Sequence, residues 1–342
     1  MVIDGRRDHS FRIPRPDLTE TVGTPNACND CHADKSARWA SGAIDAWFGT
    51  PRRPLHFGEA LHAARHWAAD AGPLLQRVIE DPAQPAIARA TALTLLPRQV
   101  GPESAAAVQR SATDRDSLVR RAAAEALAGF PAGLRISVGK KLLVDPVRAV
   151  RLEVVPVLAG LPPALLDSDS RSSLETAIGQ YRATLDYVSD RPEAWQSLGS
   201  LEMQLGHFAK AESAFRKALA KEPRFVPAAV SLADLYRGLG KEASAEATLQ
   251  GVLALVPDSA VAHHALGLSM VRQRRLPESI AQFEAAAALE PDNPDLVYVL
   301  AVAVHDAGDV RRAVTILERA RARFPSHGEI AAALQAYGAP GK

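Results

Sequence analysis

The sequence predicts an all-α protein, in which a small cysteine-bearing module is followed by an α-solenoid. Three observations predict it. The 342 residues are 47% hydrophobic but only 5% aromatic, so the core must be built from Ala, Leu and Val, a mix that favours packed helices over sheets. Residue types recur every 34 positions from 192 onward, as in Pro223, Pro257, Pro291 and Pro325. A shorter period of 31 runs from about 56 to 165, in Ala88-Arg89, Val119-Arg120 and Val150-Arg151. Fixed periods of this size mean stacked helical pairs.

Composition narrows the function. Lys+Arg is 40 and Asp+Glu 39, so a net charge of +1 gives no electrostatic ground for a nucleic-acid partner. No apolar run approaches the ~18 residues a membrane span needs, so no transmembrane segment is expected. The N-terminus, Met1 to His9, lacks an apolar stretch and does not read as a secretory signal. Two cysteines, Cys28 and Cys31, cannot staple a scaffold.

Residues 1–54 form the first unit. Pro14 and Pro16 keep Phe11–Asp17 out of a helix interior, and Thr24-Pro25-Asn26-Ala27 is turn chemistry. Ser36 to Phe48 has helical spacing, with Trp39, Ala43, Ile44 and Trp47 or Phe48 expected on one apolar face and Gly49 as the stop. Residues 55–165 hold the 31-residue units, whose apolar stripes are Ala92, Leu93 and Leu96, then Ala123, Ala126 and Leu127, then Val154, Val155 and Leu158. Asp114 and Asp145 precede two of these stripes in register, and Asp81 precedes the first with a small slip. This stretch resembles short HEAT-type repeats.

Residues 166–191 read as a hinge, rich in Ser and Asp after Pro162-Pro163, and an orphan capping helix over 172–188. Four 34-residue units occupy 192–325. Leu198, Leu232, Leu266 and Leu300 form one column, and Gly199, Ala233, Gly267 and Ala301 the next. Ala211, Ala245, Ser279 and Ala313, then Phe215, Leu249, Phe283 and Leu317, then Ala218, Val252, Ala286 and Ala320 complete the pattern. Small residues let paired helices approach, large ones fill the space between pairs, and proline ends the second helix. The pattern resembles tetratricopeptide repeats. Residues 326–342 are expected to supply a closing helix and tail.

The chemistry-bearing motif is Cys28-Asn29-Asp30-Cys31-His32, the C-x-x-C-H attachment signature of c-type haem. Thiols three positions apart on a helical turn reach the two vinyl groups on one porphyrin edge, and the following histidine becomes the proximal ligand. Covalent attachment also dispenses with a deep apolar pocket. Two other readings stay open: zinc, which would need distant histidines as further ligands, and a thioredoxin-like redox pair, which would need an adjacent strand.

Arg7-Asp8-His9-Ser10-Phe11-Arg12-Ile13-Pro14-Arg15-Pro16-Asp17, followed by Gly23 to His32, resembles the last haem module of multihaem c-type cytochromes with a repeat-rich C-terminal tail. The resemblance is close over 1–48, and the two repeat arrays match it in order and kind. It implies haem c, at least one, an electron carrier rather than a catalyst, an exported or periplasmic setting, and a redox partner protein or further haem domains. It also implies that the chain is the C-terminal part of a longer protein.

A second histidine would make the iron six-coordinate and suited to electron transfer. His9 is the first choice for this distal ligand, with His56 or His62, and then His66, as alternatives. His263, His264, His305 and His327 read as groove or surface residues of the repeats, and His207 as a loop residue. The concave repeat surface would show Gln196, Met203, Asp234, Arg237, His264, Tyr298 and His305 to an unknown protein ligand. The Asn column of carboxylate-clamp tetratricopeptide domains holds Ser200, Asp234, Leu268 and Val302 here, so that clamp is not expected. The rival reading is a non-redox interaction scaffold with a vestigial haem motif. A haem enzyme with an open iron position is a third reading, which no acid–base constellation near the motif supports.

Overall fold

The computed structural model describes residues 14–49, 55–96 and 101–338, and every regular element among them is a helix. Three short helices open the chain: α1 (Pro16–Val22), α2 (Ala27–Cys31) and α3 (Ala37–Phe48). Each boundary has a local cause. Proline starts α1, where no N–H donor is needed, and Gly23 ends it with φ 71°. Ser36 caps α3 by accepting the Trp39 N–H at 3.2 Å. Helix α2 packs on α3, and α3 packs on α1. The buried side of α3 is Ala40 and Ser41. The aromatic face expected to be core is instead open to solvent, with Trp39 41%, Trp47 71% and Phe48 77% exposed. The cause is size: helices of seven and five residues cover one side of a twelve-residue helix.

The 31-residue units follow as α4 (Phe57–Arg65), α5 (Ala71–Glu80), α6 (Ala86–Leu95), α7 (Pro102–Ser111), α8 (Ser117–Ala126), α9 (Ala132–Leu142) and α10 (Arg148–Leu158). The stripes read from the sequence are the core: none of Ala92, Leu93, Leu96, Ala123, Ala126, Leu127, Val154, Val155 and Leu158 is more than 2% exposed. The repeated arginine and aspartate form a ladder. Arg89 pairs with Asp114 of the next unit, and Arg120 grips Asp145 with Nε and Nη2 at 2.6 and 3.0 Å. Each arginine also donates to a backbone carbonyl at a unit boundary: Arg89 to Ile79, Arg120 to Asp114 and Arg151 to Asp145. The ladder therefore ties side-chain pairing to chain path, and removing one partner of such a buried pair costs about 3–5 kcal/mol.

Helix α11 (Ser168–Tyr187) leads into four helical pairs: α12 (Pro192–Gln204) with α13 (Phe208–Lys221), α14 (Val226–Gly238) with α15 (Glu242–Leu255), α16 (Ala260–Arg272) with α17 (Leu276–Leu289), and α18 (Pro294–Asp306) with α19 (Val310–Arg323). Helix α20 (Gly328–Gly338) closes the stack. The segment expected to hinge is packed: Leu161, Leu166 and Leu174 lie in one buried core that runs from Ala60 to Leu201. Its polar residues cap and solubilise α11, where the Asp167 side chain accepts the Ser170 N–H, while its leucines hold the two arrays together.

Within the pairs, the small and large columns are matched to each other. A Cβ on Gly199 would lie 2.5 Å from the Phe215 ring, and one on Gly267 the same distance from Phe283. Where the small residue is Ala, at 233 and 301, the large one is Leu, at 249 and 317. Phe needs the extra space of glycine, and Leu tolerates alanine.

The two ends of the solenoid meet. Trp67, in the turn after α4 and in the left-handed region at φ 56°, is buried against Ala301, Leu317, Ala320, Phe324, Ile330 and Ala333. The Ser326 hydroxyl donates to the Trp67 carbonyl, and the His327 ring lies 5.1 Å from the indole. A bulky residue in this backbone region is strained, and the surrounding contacts hold it there.

Candidate functional site

The C-x-x-C-H motif occupies α2 and its C-terminal cap. The Asn26 side chain accepts the Asn29 N–H at 3.1 Å and starts the helix. His32 ends it, its N–H donating to the Cys28 carbonyl at 2.9 Å. Asn29 donates onward to the Lys35 and His32 carbonyls, which fixes the turn behind the motif. Cys28 and Cys31 thus stand three positions apart on one helical turn, Cys31 exposed and Cys28 half-buried, and neither forms a disulfide. The exposed His32 ring lies 5.0 Å from Trp39. Helix α2 buries no residue of its own.

This donor set fits a covalently held haem. Both thiols are free and accessible from one side of a short helix, the imidazole sits at its end, and an uncovered aromatic strip lies alongside. No strand accompanies the motif among the described residues, so the thioredoxin-like context is not met.

The distal candidates separate. His9 lies outside the described residues. His56 caps α4: its Nδ1 accepts the Gly58 N–H at 3.1 Å, and Glu59 accepts the His56 N–H in return. His62 and His66 stack on each other at 3.9 Å, and the His66 Nδ1 donates to the His62 carbonyl at 2.9 Å. Burial, followed by the His66 and Arg65 charges, lowers the His62 pKa. Helix α4 packs on α1, and α1 on α3, whereas the motif helix packs on α3.

The repeat groove is built from the first helix of each pair. Gln196 donates to Ser200 at 3.2 Å. Arg237 pairs with Asp234 and donates to the Ala265 carbonyl at 2.8 Å. Burial lowers the pKa of Arg237 and of His264, which lies beside Phe283. The groove closes at its C-terminal end, where His305 stacks flat on Tyr337 of α20 at 3.7 Å. Its charges are paired within the chain, so a ligand meets a mixed polar and apolar wall.

His327 is a correction to the sequence reading: it is 4% exposed. Its Nδ1 accepts the Ile330 N–H at 3.3 Å, so its Nε2 carries the proton donated to Asp295 at 3.0 Å. Asp295, His327 and Glu329 could enclose a cation. The imidazole is nevertheless committed to capping α20. Trp67, which that histidine flanks, gave no sequence signal, because it lies in a turn outside both periodic patterns.

Residues 177–268 match the family described as the cilia and flagella-associated protein 70 middle TPR-like domain, and residues 270–337 match a tetratricopeptide repeat family. No curated protein matches the chain. Among solved structures, a thermophilic tetratricopeptide protein of Thermus thermophilus is 20% identical over 54% of this chain and 98% of its own, with TM-score 0.41. YrrB, described as having an unusual peptide-binding site, is 20% identical over 60% of this chain and 92% of its own, with TM-score 0.38. MamA from Desulfovibrio magneticus RS-1 is 18% identical over 52% and 97%, with TM-score 0.38.

Proposed function

We propose that this tetratricopeptide-repeat solenoid is a protein-docking scaffold that carries a covalent haem c on its N-terminal helices and brings it to a redox partner. The family matches over 177–268 and 270–337 support the docking half. The haem half rests on one observation: two free thiols and a histidine on a single accessible turn, beside an aromatic strip that the protein leaves uncovered.

In this reading Cys28 and Cys31 hold the group by thioether bonds, and His32 ligates the metal. Bound haem supplies one-electron transfer. The protein's own work is to hold the group. The Asn26 cap and the Asn29 bonds fix the helical turn, and Trp39 sets the face against which the imidazole rests. A distal histidine completes the site, with His9 in first place and His56 or His62 as the alternatives. Release of His56 would undo the α4 cap, and release of His62 or His66 would part a stacked pair. Thioether attachment sets the protein on the exported side of a bacterial membrane. The HEAT-like array then serves as the link between the haem module and the docking groove.

The test is the pyridine haemochrome of protein produced with periplasmic c-type maturation, before and after acid–acetone extraction. Haem that survives extraction in the wild type and is lost in Cys28→Ser/Cys31→Ser supports the reading. A chain that matures without haem is the redox-silent scaffold.

A further inference from the structure

The arginine–aspartate ladder has a third rung that differs from the first two. Arg89 and Arg120 each meet an aspartate 25 residues on, Asp114 and Asp145. The residue 25 beyond Arg151 is Thr176, and the array there gives way to the long helix α11. Arg151 keeps its backbone bonds, with Nη1 donating to the Asp145 and Pro146 carbonyls at 2.7 and 3.2 Å. On the side where a carboxylate should stand, its Nη2 meets only the Gln180 amide oxygen, at 3.4 Å. Its neighbour Arg148 donates to the Gln180 carbonyl and the Thr184 hydroxyl. Among the described residues neither guanidinium makes an ion pair.

A cleft of about 170 Å³ opens at this position, lined by Leu143, Arg151, Ser172, Ser173, Thr176 and Gln180, with Ala177 at its floor. Ser172, Thr176 and Gln180 are four residues apart, so they form one polar stripe along α11. The Thr176 hydroxyl bonds the Ser172 carbonyl at 3.0 Å. The Ser172 and Ser173 hydroxyls have no partner among the described residues. The space exceeds by several-fold the ~30 Å³ that one water takes in the liquid.

We propose that this cleft binds a small tetrahedral oxyanion, inorganic phosphate or the phosphoryl group of a monoester, with Arg151 supplying the charge and Ser172 and Ser173 supplying donors. A guanidinium alone would satisfy a planar carboxylate through two parallel bonds. Hydroxyls set along the facing helix add donors out of that plane, which a tetrahedral ion can accept and a carboxylate cannot fully use. The anion would stand where the first two rungs hold aspartate, and would join the 31-residue array to α11.

The experiment is thermal unfolding of the full chain against inorganic phosphate, at ionic strength held constant with chloride. Phosphoserine and acetate are the comparison ligands. The wild-type midpoint should rise and saturate with phosphate. Phosphoserine acting as well as phosphate assigns the site to monoesters, and phosphate alone assigns it to the free ion. Arg151→Gln should weaken phosphate binding about tenfold or more. Because that change also removes backbone bonds, the isosteric Gln180→Glu is the decisive variant. It supplies the missing carboxylate, so it should raise the midpoint without phosphate and abolish the phosphate response. The proposal is overturned if wild type responds no more to phosphate than to chloride, if acetate matches phosphate, or if Gln180→Glu binds phosphate as wild type does.

Discussion

Substituting Gly199 by Ala tests the repeat packing quantitatively. A Cβ there falls 2.5, 2.6 and 2.9 Å from three carbons of Phe215, a ring with no exposed surface. The ring has nowhere to withdraw, so overpacking should cost about 1–3 kcal/mol. Alanine is a better helix former than glycine by roughly 1 kcal/mol, which offsets part of this. A net destabilisation of about 1–2 kcal/mol is expected. Gly251 is the control: it sits inside α15 with nothing within 4 Å of its would-be Cβ, so Gly251→Ala should stabilise by about 0.5–1 kcal/mol. The sharper test is the pair. Gly199→Ala with Phe215→Leu recreates the combination found at Ala233 and Leu249, so the double variant should be less damaged than the two single changes summed, by about 0.5–3 kcal/mol. Urea unfolding monitored by circular dichroism gives the four stabilities. Additivity within about 0.5 kcal/mol would refute the claim that the two columns are matched.

Two further predictions concern the remaining contacts. Trp67→Ala removes a buried indole from the meeting of the two ends, a change of the class that costs about 3–5 kcal/mol in a core. Small-angle scattering should show a larger radius of gyration, and amides of α20 should exchange faster; an unchanged profile would mean that the ends do not hold each other. The ladder predicts acid sensitivity. Burial pushes the Asp145 carboxyl up, but Arg120 and the Val147 N–H outweigh it, and its pKa lies below the ordinary 3.8. A lowered carboxylate stabilises fully above pH 3.8 and loses that contribution as pH falls through its folded value. Asp145→Asn should therefore cost about 3–5 kcal/mol at pH 7 and flatten the fall in stability below pH 4, read from urea midpoints across pH.

The repeat arrays were legible because their physics is local and periodic. Gly199, Phe215 and their counterparts 34 residues on are columns of one packing unit, and Arg89 and Arg120 mark the start of each 31-residue stripe. The Cys28–His32 turn was equally legible as a motif, and the structure adds its caps and the exposure of its thiols. What the sequence hid depends on long-range geometry. Trp67 meets Ser326 across 259 residues, a contact set by the summed curvature of the helical pairs between them. His327 looked like a surface residue because its burial comes from that same meeting. The open aromatic strip of α3 was misjudged for a different reason: helical spacing shows that residues share a face, but the length of the neighbouring helices decides whether that face is covered.

The central claim is that a docking solenoid carries haem through Cys28 and Cys31. Intact-mass spectrometry of the fully denatured chain, purified after periplasmic c-type maturation, tests it most directly. The account predicts a chain heavier by one haem, and an unmodified mass for Cys28→Ser/Cys31→Ser made in the same host. An unmodified wild-type chain from a host that loads haem onto a control cytochrome would contradict it.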